Sequence, residues 1–457
     1  MQTLHEAKKK ALRMSKKVCI VLTSRGNYAK FKRIIEILRE TAGIDLVVIT
    51  GGELVLKDRV VDAFVINPDY EVFFSVSGGG SVSMSKSVGG AISEFSTLFN
   101  LIKPDLICIV GDRFETLGVA TAAYMTGIPI AHLEGGELSG TIDEGVRHAI
   151  TKLASLHFPC TANAAKVIEQ LGENPDNIYV VGSTSLDVLD DLAIYDEMMA
   201  LQRHSDSGVI IDVKKPFLLV CLHPIPNEPE ITKELVNETI KAINSLEIPT
   251  FWVNANLDAG NDIIGSALRK YRDQNKPSHI HFFKSLPIRE YGYLLKHTKC
   301  MVGNSSAGIR ECSFLGTPSV TIGDRQQHRQ RDVNTMDAIV NSDGIIAVVD
   351  IQLEQKYKPS SIYGDGNASE KIVSYIRNVQ PKRQKVFYEI TGHYTGKGGQ
   401  QRHCKQEHSG AWRETVIPMG SGHSDKVTIA GKDHHFDGYP GDPRNKTQQY
   451  SRGSEAP

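Results

Sequence analysis

The chain is written as an alternation. From Lys17 it runs KVCIVLT, YAKFKRIIEILRE, DLVVIT and later DLICIVGD, ETLGVATAAYMTG and IPIAHLE, so that short β-branched apolar runs take turns with helical stretches. Strands that are apolar without interruption need cover on both faces, and helices between them supply it, so the pattern predicts a parallel sheet in a doubly wound α/β domain. SLHFPCTAN, a helix AKVIEQLG and a strand NIYVVG follow, then a charged stretch, Asp187 to Lys215. A second series begins near Pro216: PFLLVCLHP, ELVNETIKAINSL, PTFWVNAN, IIGSALRKYRDQ, HIHFFKSL, REYGYLLKHT, KCMVGNSS and TPSVTIGD. The expected organisation is a leader over 1–16, one α/β domain over 17–200, a second over 215–380 and a tail over 392–457. The helical ASEKIVSYIRNVQ, Ala368 to Gln380, either finishes the second domain or crosses back to the first.

A length of 457 residues fits two domains plus extensions. Lys plus Arg number 52 against 53 for Asp plus Glu, so no overall field favours nucleic acid or an anionic membrane, and an anionic ligand must be held by a local site. The seven cysteines are scattered without a C-x-x-C pair, several inside strand-like runs, which fits reduced buried thiols and a cytoplasmic location. MQTLHEAKKKALRMSKK is basic but has no apolar signal core, and reads as an amphipathic leader helix. No apolar run approaches the ~20 residues needed to cross a bilayer. Residues from Gly392 onward are polar, aperiodic and poor in aliphatics, which predicts a disordered tail, and the spacing of its histidines matches no metal site.

Ligands of open parallel sheets bind beyond the carboxyl ends of the strands, so polar residues just after apolar runs are the ones to weigh. In LTSRG, Ser24 and Arg25 open a helix that can offer amides to a phosphate; a plain N-cap with an exposed arginine reads equally well. GDRFE contributes Asp112 and Arg113. HLEGGELSGTIDEGVRHA contributes His132, Glu134, Asp143 and Glu144, although T-I-D-E is also an ordinary helix start. Carboxylates gathered at one sheet edge can acquire separated pKa values and divide acid and base work. In VGNSSAGIREC, Ser305 and Ser306 supply small donors at a helix start, Gly308 permits close approach, and Glu311 is placed to accept both hydroxyls of a ribose. A tight strand-to-helix turn is the plainer alternative. SGGGSVSMSKSVGG, Ser77 to Gly90, reads as a mobile loop at the cleft.

GDRFETLGVATAAYMTGIPIAHLEGGELSGTIDEGVRHAITKLASLHF and VGNSSAGIRECSFLGTPSVTIGDRQQHR resemble the UDP-N-acetylglucosamine 2-epimerase family, more closely its hydrolysing branch, which serves sialic acid synthesis. The resemblance spans about Lys17 to Val379. It implies two Rossmann-like domains of the glycosyltransferase-B type, with catalytic carboxylates on the first and most UDP contacts on the second. By motif it implies catalytic roles for Asp112, Glu134, Asp143 and His223. Diphosphate contacts fall to Arg25, Arg113, Ser305 and Ser306, and ribose to Glu311, with Ser24 also expected at the substrate. His132, Asn256, Phe283 and Arg325 fall in the same family segments and are expected at the substrate, Asn256 and Phe283 as walls of the nucleotide pocket; taken alone, His223 reads as a core or surface residue and Phe283 as core.

The implied reaction converts UDP-N-acetylglucosamine and water to N-acetylmannosamine and UDP through a 2-acetamidoglucal. The implied partner is the UDP-sugar alone, with no metal, no redox cofactor and no nucleic acid, in a homodimer or homotetramer whose hinge lies near 190–215. A non-hydrolysing epimerase and a hydrolysing epimerase of UDP-2,4-diacetamido-trideoxy sugars share nearly all of these residues. A silent UDP-sugar binder and a glycosyltransferase of the same fold are readings from other classes.

Overall fold

In a computed structural model, described for residues 15–55, 67–76, 80–189, 212–225, 228–254, 261–283, 286 and 288–389, the alternation becomes two separate sheets. All described residues fall within one compact unit, residues 1–391. The expected leader up to residue 14, the hinge up to residue 211, Asn256 and the tail lie outside the described residues.

The first sheet holds β1 (Lys16–Leu22), β2 (Ile44–Gly51), β3 (Tyr70–Val72), β4 (Leu106–Val110), β5 (Ile130–Leu133) and β6 (Leu156–Phe158), in the spatial order 3-2-1-4-5-6. The second holds β7 (Leu218–Leu222), β8 (Thr250–Asn254), β9 (Ile280–Phe283), β10 (Cys300–Gly303), β11 (Ser319–Ile322) and β12 (Thr335–Ala338), in the order 12-11-10-7-8-9. Every pairing is parallel, and each sheet carries one apolar cluster on each face. The two orders are the same topology, since the second begins again at β7. Each therefore has one switch point, between β1 and β4 and between β7 and β10, where diverging connections leave a crevice.

Two expectations change. NIYVVG adds a single bridge, Ile178 to His157, at the edge of the first sheet rather than a strand. The described part of the Gly-rich run is not a loop: Ser81–Ile102 is a helix whose start is fastened by Gly80 N–H donating to Ser83 Oγ at 3.0 Å and whose Ala91, Phe95 and Phe99 are buried. Gly118 explains why small residues stand there, because a Cβ on it would lie 2.6 Å from that of Ala91, where this helix meets the next.

The last helix, Ala368–Asn378, crosses back. Ile372, Val373 and Ile376 join the core of the first sheet with Val18, Ile20 and Phe31. Lys16 Nζ donates to the Ile376 and Val379 carbonyls at 2.6 Å each, and Asp187 caps the helix start through the Ala368 and Ser369 amides at 3.0 and 2.6 Å. The helix Ala368–Asn378 thus follows the second sheet in sequence but packs on the first. Cys19, Cys108, Cys160, Cys221, Cys300 and Cys312 are free and buried, and among the described residues no helix is long and apolar enough to cross a membrane.

Candidate active site

The turns leaving β4 and β5 both pass through the left-handed region. Gly111 does so at φ 81° and Glu134 at φ 62°, the latter a conformation that costs a residue with a side chain on the order of 1–3 kcal/mol and persists where its surroundings enforce it. The enforcement is visible: Glu134 N–H donates to the Phe158 carbonyl at 3.0 Å, and Gly111 N–H to the Leu133 carbonyl at 3.1 Å. Beneath both turns sits His132, fully buried, with Nε2 at 2.8 Å from the Gly111 carbonyl and Nδ1 at 3.1 Å from Thr151 Oγ1. A carbonyl can only accept, so Nε2 carries the proton and Nδ1 accepts from Thr151. Burial first, against the Gly111 hydrogen bond, brings the His132 pKa down to about 4 and keeps the ring neutral. His132 is therefore a brace behind the site, both its nitrogens spent inside the protein, rather than the ligand contact the motif suggested.

On this brace stand the carboxylates. Burial pushes the Asp112 carboxyl up, but Arg147, in direct contact with it, and then Lys30 hold it well below the usual carboxylate range. Glu134 Oε2 receives Lys30 Nζ at 2.5 Å and Arg310 Nη1 at 2.8 Å, and these two cations more than offset burial, so Glu134 too is ionised. Its Oε1 is buried without a hydrogen-bond partner. Glu137, one turn along the same loop, takes Arg310 Nη2 at 2.5 Å and Arg329 Nη1 at 2.8 Å and falls to about 2, burial again opposing and the two arginines winning. Arg147 also donates to the Glu137 carbonyl at 2.6 Å, which holds the loop from Glu134 to Ser139 against the helix Ile142–Leu153. Asp143 lies in the first turn of that helix, half-buried, with Thr141 Oγ1 at 3.2 Å.

Across the crevice, Asn304 governs the second switch point. Fully buried at the end of β10, it accepts from His223 N–H at 2.6 Å and donates Nδ2–H to the His223 carbonyl at 2.8 Å, fixing the residue that leaves β7. Its own carbonyl accepts from Arg325 at 3.0 Å and Gln326 at 3.1 Å. Gly303 before it has φ 146°, and a Cβ there would lie 2.0 Å from the Cys221 carbonyl, so only glycine lets β10 pass β7 so closely. Ser305 starts the turn Ser306–Gly308 and accepts from the Ala307 amide at 3.3 Å; Glu311 follows with Oε2 buried and unpartnered.

The remaining expected residues divide. Ser24 is the N-cap of Arg25–Glu40, accepting from Asn27 N–H at 3.2 Å. The side chain of Arg25 and all of Asn256 lie outside the described residues. Arg113 lies against Glu115 at 2.9 Å. Phe283 departs from the expectation: it is wholly buried and stacked on Phe251 at 5.7 Å, so its surface goes to the core, as its place in a continuously apolar strand dictates.

Lys30, Glu137, Arg147, Asn304, Arg310 and Arg329 did not stand out from sequence. The signal for Glu137 and Arg310 was present, in EGGE and GIREC, but their partners are supplied from the other half. The halves meet closely beside them: Gly140 N–H donates to the Arg325 carbonyl at 3.2 Å, and a Cβ on Gly140 would lie 2.0 Å from the Asp324 carbonyl. Chemically, the arrangement offers ionised carboxylates after β4 and β5, a histidine after β7, and small donors with an unpartnered acceptor after β10. Among the described residues no three side chains are grouped to hold a metal ion.

A family model described as UDP-N-acetylglucosamine 2-epimerase matches residues 36–377. The chain is 30% identical over 374 residues to a hydrolysing UDP-N,N'-diacetylbacillosamine 2-epimerase of Legionella pneumophila, covering 80% of this chain and 97% of that protein. It is 30% identical over 322 residues to a UDP-N-acetylglucosamine 2-epimerase of Neisseria meningitidis, covering 69% and 81%. Its fold is similar to the crystal structure of UDP-GlcNAc 2-epimerase from Neisseria meningitidis bound to UDP-GlcNAc, with a TM-score of 0.67 at 19% identity over 79% of this chain and 100% of that one.

Proposed function

Because the chain belongs to the UDP-N-acetylglucosamine 2-epimerase family, we propose that it is a hydrolysing epimerase that converts UDP-N-acetylglucosamine and water to N-acetylmannosamine and UDP. The observation that carries this reading is Glu134: ionised, held through one oxygen by Lys30 and Arg310, and left with Oε1 buried and unpartnered beside the first switch point.

The proton on sugar C2 is hardly acidic, so it leaves only as the bond from C1 to the UDP oxygen breaks. The C2–H electron pair becomes the C1–C2 double bond, the C1–O pair departs with UDP, and the proton passes to a carboxylate. Negative charge grows on the diphosphate, where the donors of Ser305, Ser306 and Arg25 stabilise it. Water then adds its oxygen to C1 of the glucal, and a proton returns to C2 from the opposite face, giving the manno configuration. Asp112, Glu134 and Asp143 share the proton transfers, with His223 opposite them. Glu311 Oε2 is the acceptor for the ribose hydroxyls.

Proton NMR of UDP-N-acetylglucosamine in deuterated water tests this. Free N-acetylmannosamine deuterated at C2, with UDP, is the expected result; UDP-N-acetylmannosamine would move the reading to the non-hydrolysing reaction, and an unchanged spectrum would refute it for this substrate. A second reading, hydrolysis of a UDP-2,4-diacetamido-trideoxy sugar, is favoured by the likeness to the Legionella pneumophila protein, and the same experiment with that sugar decides it.

A further inference from the structure

Arg310 lies in the same short segment as Ser305, Ser306 and Glu311, yet its guanidinium belongs to the opposite half. It is 3% exposed, and its two terminal nitrogens reach Glu134 Oε2 at 2.8 Å and Glu137 Oε2 at 2.5 Å, partners 176 and 173 residues earlier in the chain. Its backbone is fastened to the turn it comes from: Arg310 N–H donates to the Ser306 carbonyl at 3.0 Å, and its carbonyl accepts from Ser313 Oγ at 2.9 Å. Glu137 is in turn pinned by Arg329 at 2.8 Å. The 305–308 turn and the Glu134 carboxylate are thus joined through one side chain.

We propose that Arg310 is a positioning residue that couples the state of the Ser305–Glu311 segment to Glu134, with Glu137 as the second anchor that orients its guanidinium. A bidentate arginine shared between two carboxylates fixes direction as well as charge, which a lysine would not. With Oε2 taken by Lys30 and Arg310, the proton-transfer work of Glu134 is confined to Oε1. An ion pair that merely joined the halves would affect stability alone; this one sets the ionisation and aim of a reacting group. The inference rests on the hydrolysing-epimerase reading for its kinetic tests.

The experiment compares wild type, R310Q, R310K and E137Q by UDP release across pH, with UDP affinity from calorimetry. Loss of the guanidinium removes a charge that lowers the Glu134 pKa, so the acid limb of kcat/KM in R310Q should move up by about one pH unit. Its kcat should fall roughly 10- to 100-fold as a reacting group loses its aim, while UDP affinity stays within about threefold. R310K keeps the charge but cannot span both carboxylates, so its limb should stay and its kcat fall at least about fivefold. E137Q frees one side of the guanidinium and should lower kcat with no upward shift of the limb. An unmoved limb in R310Q, a loss of UDP affinity in step with kcat, or wild-type kcat in R310K would overturn the proposal. Should R310Q not fold, R310K and E137Q decide it. Glu134 ionisation is also read without turnover by carboxyl 13C NMR titration, with E134Q assigning the signal. An inactive wild type sinks the proposed function, whereas an unshifted Glu134 in R310Q sinks the coupling.

Discussion

Replacing Asn304 by alanine should unfasten the second switch point. The side chain makes two hydrogen bonds to the His223 backbone, at 2.6 and 2.8 Å, from a fully buried position. Each such bond contributes about 0.5–1.5 kcal/mol net, and a buried backbone group left without its partner costs about 1–3 kcal/mol. His223 is only half-buried, so water can reach part of what is exposed, and the lower end applies. A loss of about 2–3 kcal/mol is expected, which for a domain of 150–250 residues lowers the melting temperature by roughly 4–12 °C. Because the bonds hold His223 itself, turnover should fall by about tenfold or more even well below the melting point. Calorimetry and UDP release on N304A and wild type measure the two effects. A variant that melts within about 1 °C of wild type and turns over normally would refute the view that Asn304 orients the end of β7.

Glu134→Gln should lower UDP release about 10²- to 10⁴-fold while UDP still binds, since proton transfer is lost and the nucleotide contacts are not; full activity in E134Q would remove Glu134 from the mechanism. The folded pKa of Glu137 lies at about 2 against an ordinary 4.5, so its stabilisation is complete above the unfolded value and is lost as pH falls from about 4.5 through 2. Urea midpoints of wild type should drop across that window more steeply than those of E137Q; parallel curves would contradict the assignment. Gly140→Ala should force the loop off Asp324, because its Cβ would meet that carbonyl at 2.0 Å. A kcat within twofold of wild type in G140A would show that this contact does not matter for catalysis.

Much of the site was legible because it obeys a local rule. Apolar runs end at β4, β5, β7 and β10, and the polar residues that follow, Asp112, Glu134, His223 and Ser305, had to stand at the carboxyl ends of parallel strands. The two turns of the topology were legible for the same reason, since alternation of strand and helix leaves few ways to wind. NIYVVG misled because an apolar run marks a buried extended segment, and Ile178 pairs at only one position with a sheet edge. The Gly-rich run misled because its glycines suggested a loop, while Gly90 stands inside a helix where a Cβ would lie 2.9 Å from the Phe74 carbonyl.

The amino-acid sequence by itself determined what depends on neighbours within a dozen residues: strand and helix periods, the residues at strand ends, and motifs close enough to place the chain in its family. Only the tertiary structure decided which charges meet, that Arg310 serves Glu134 and Glu137, that Arg329 shares Glu137, and that Arg147 serves Asp112. It also decided that His132 and Phe283 face inward and that the final helix returns to the first sheet. The physical reason is that an arginine's charge is the same in any context, while its partner is set by which sheet edges are brought opposite one another. That juxtaposition is made by contacts spanning more than 170 residues of chain, and it leaves no period in the sequence.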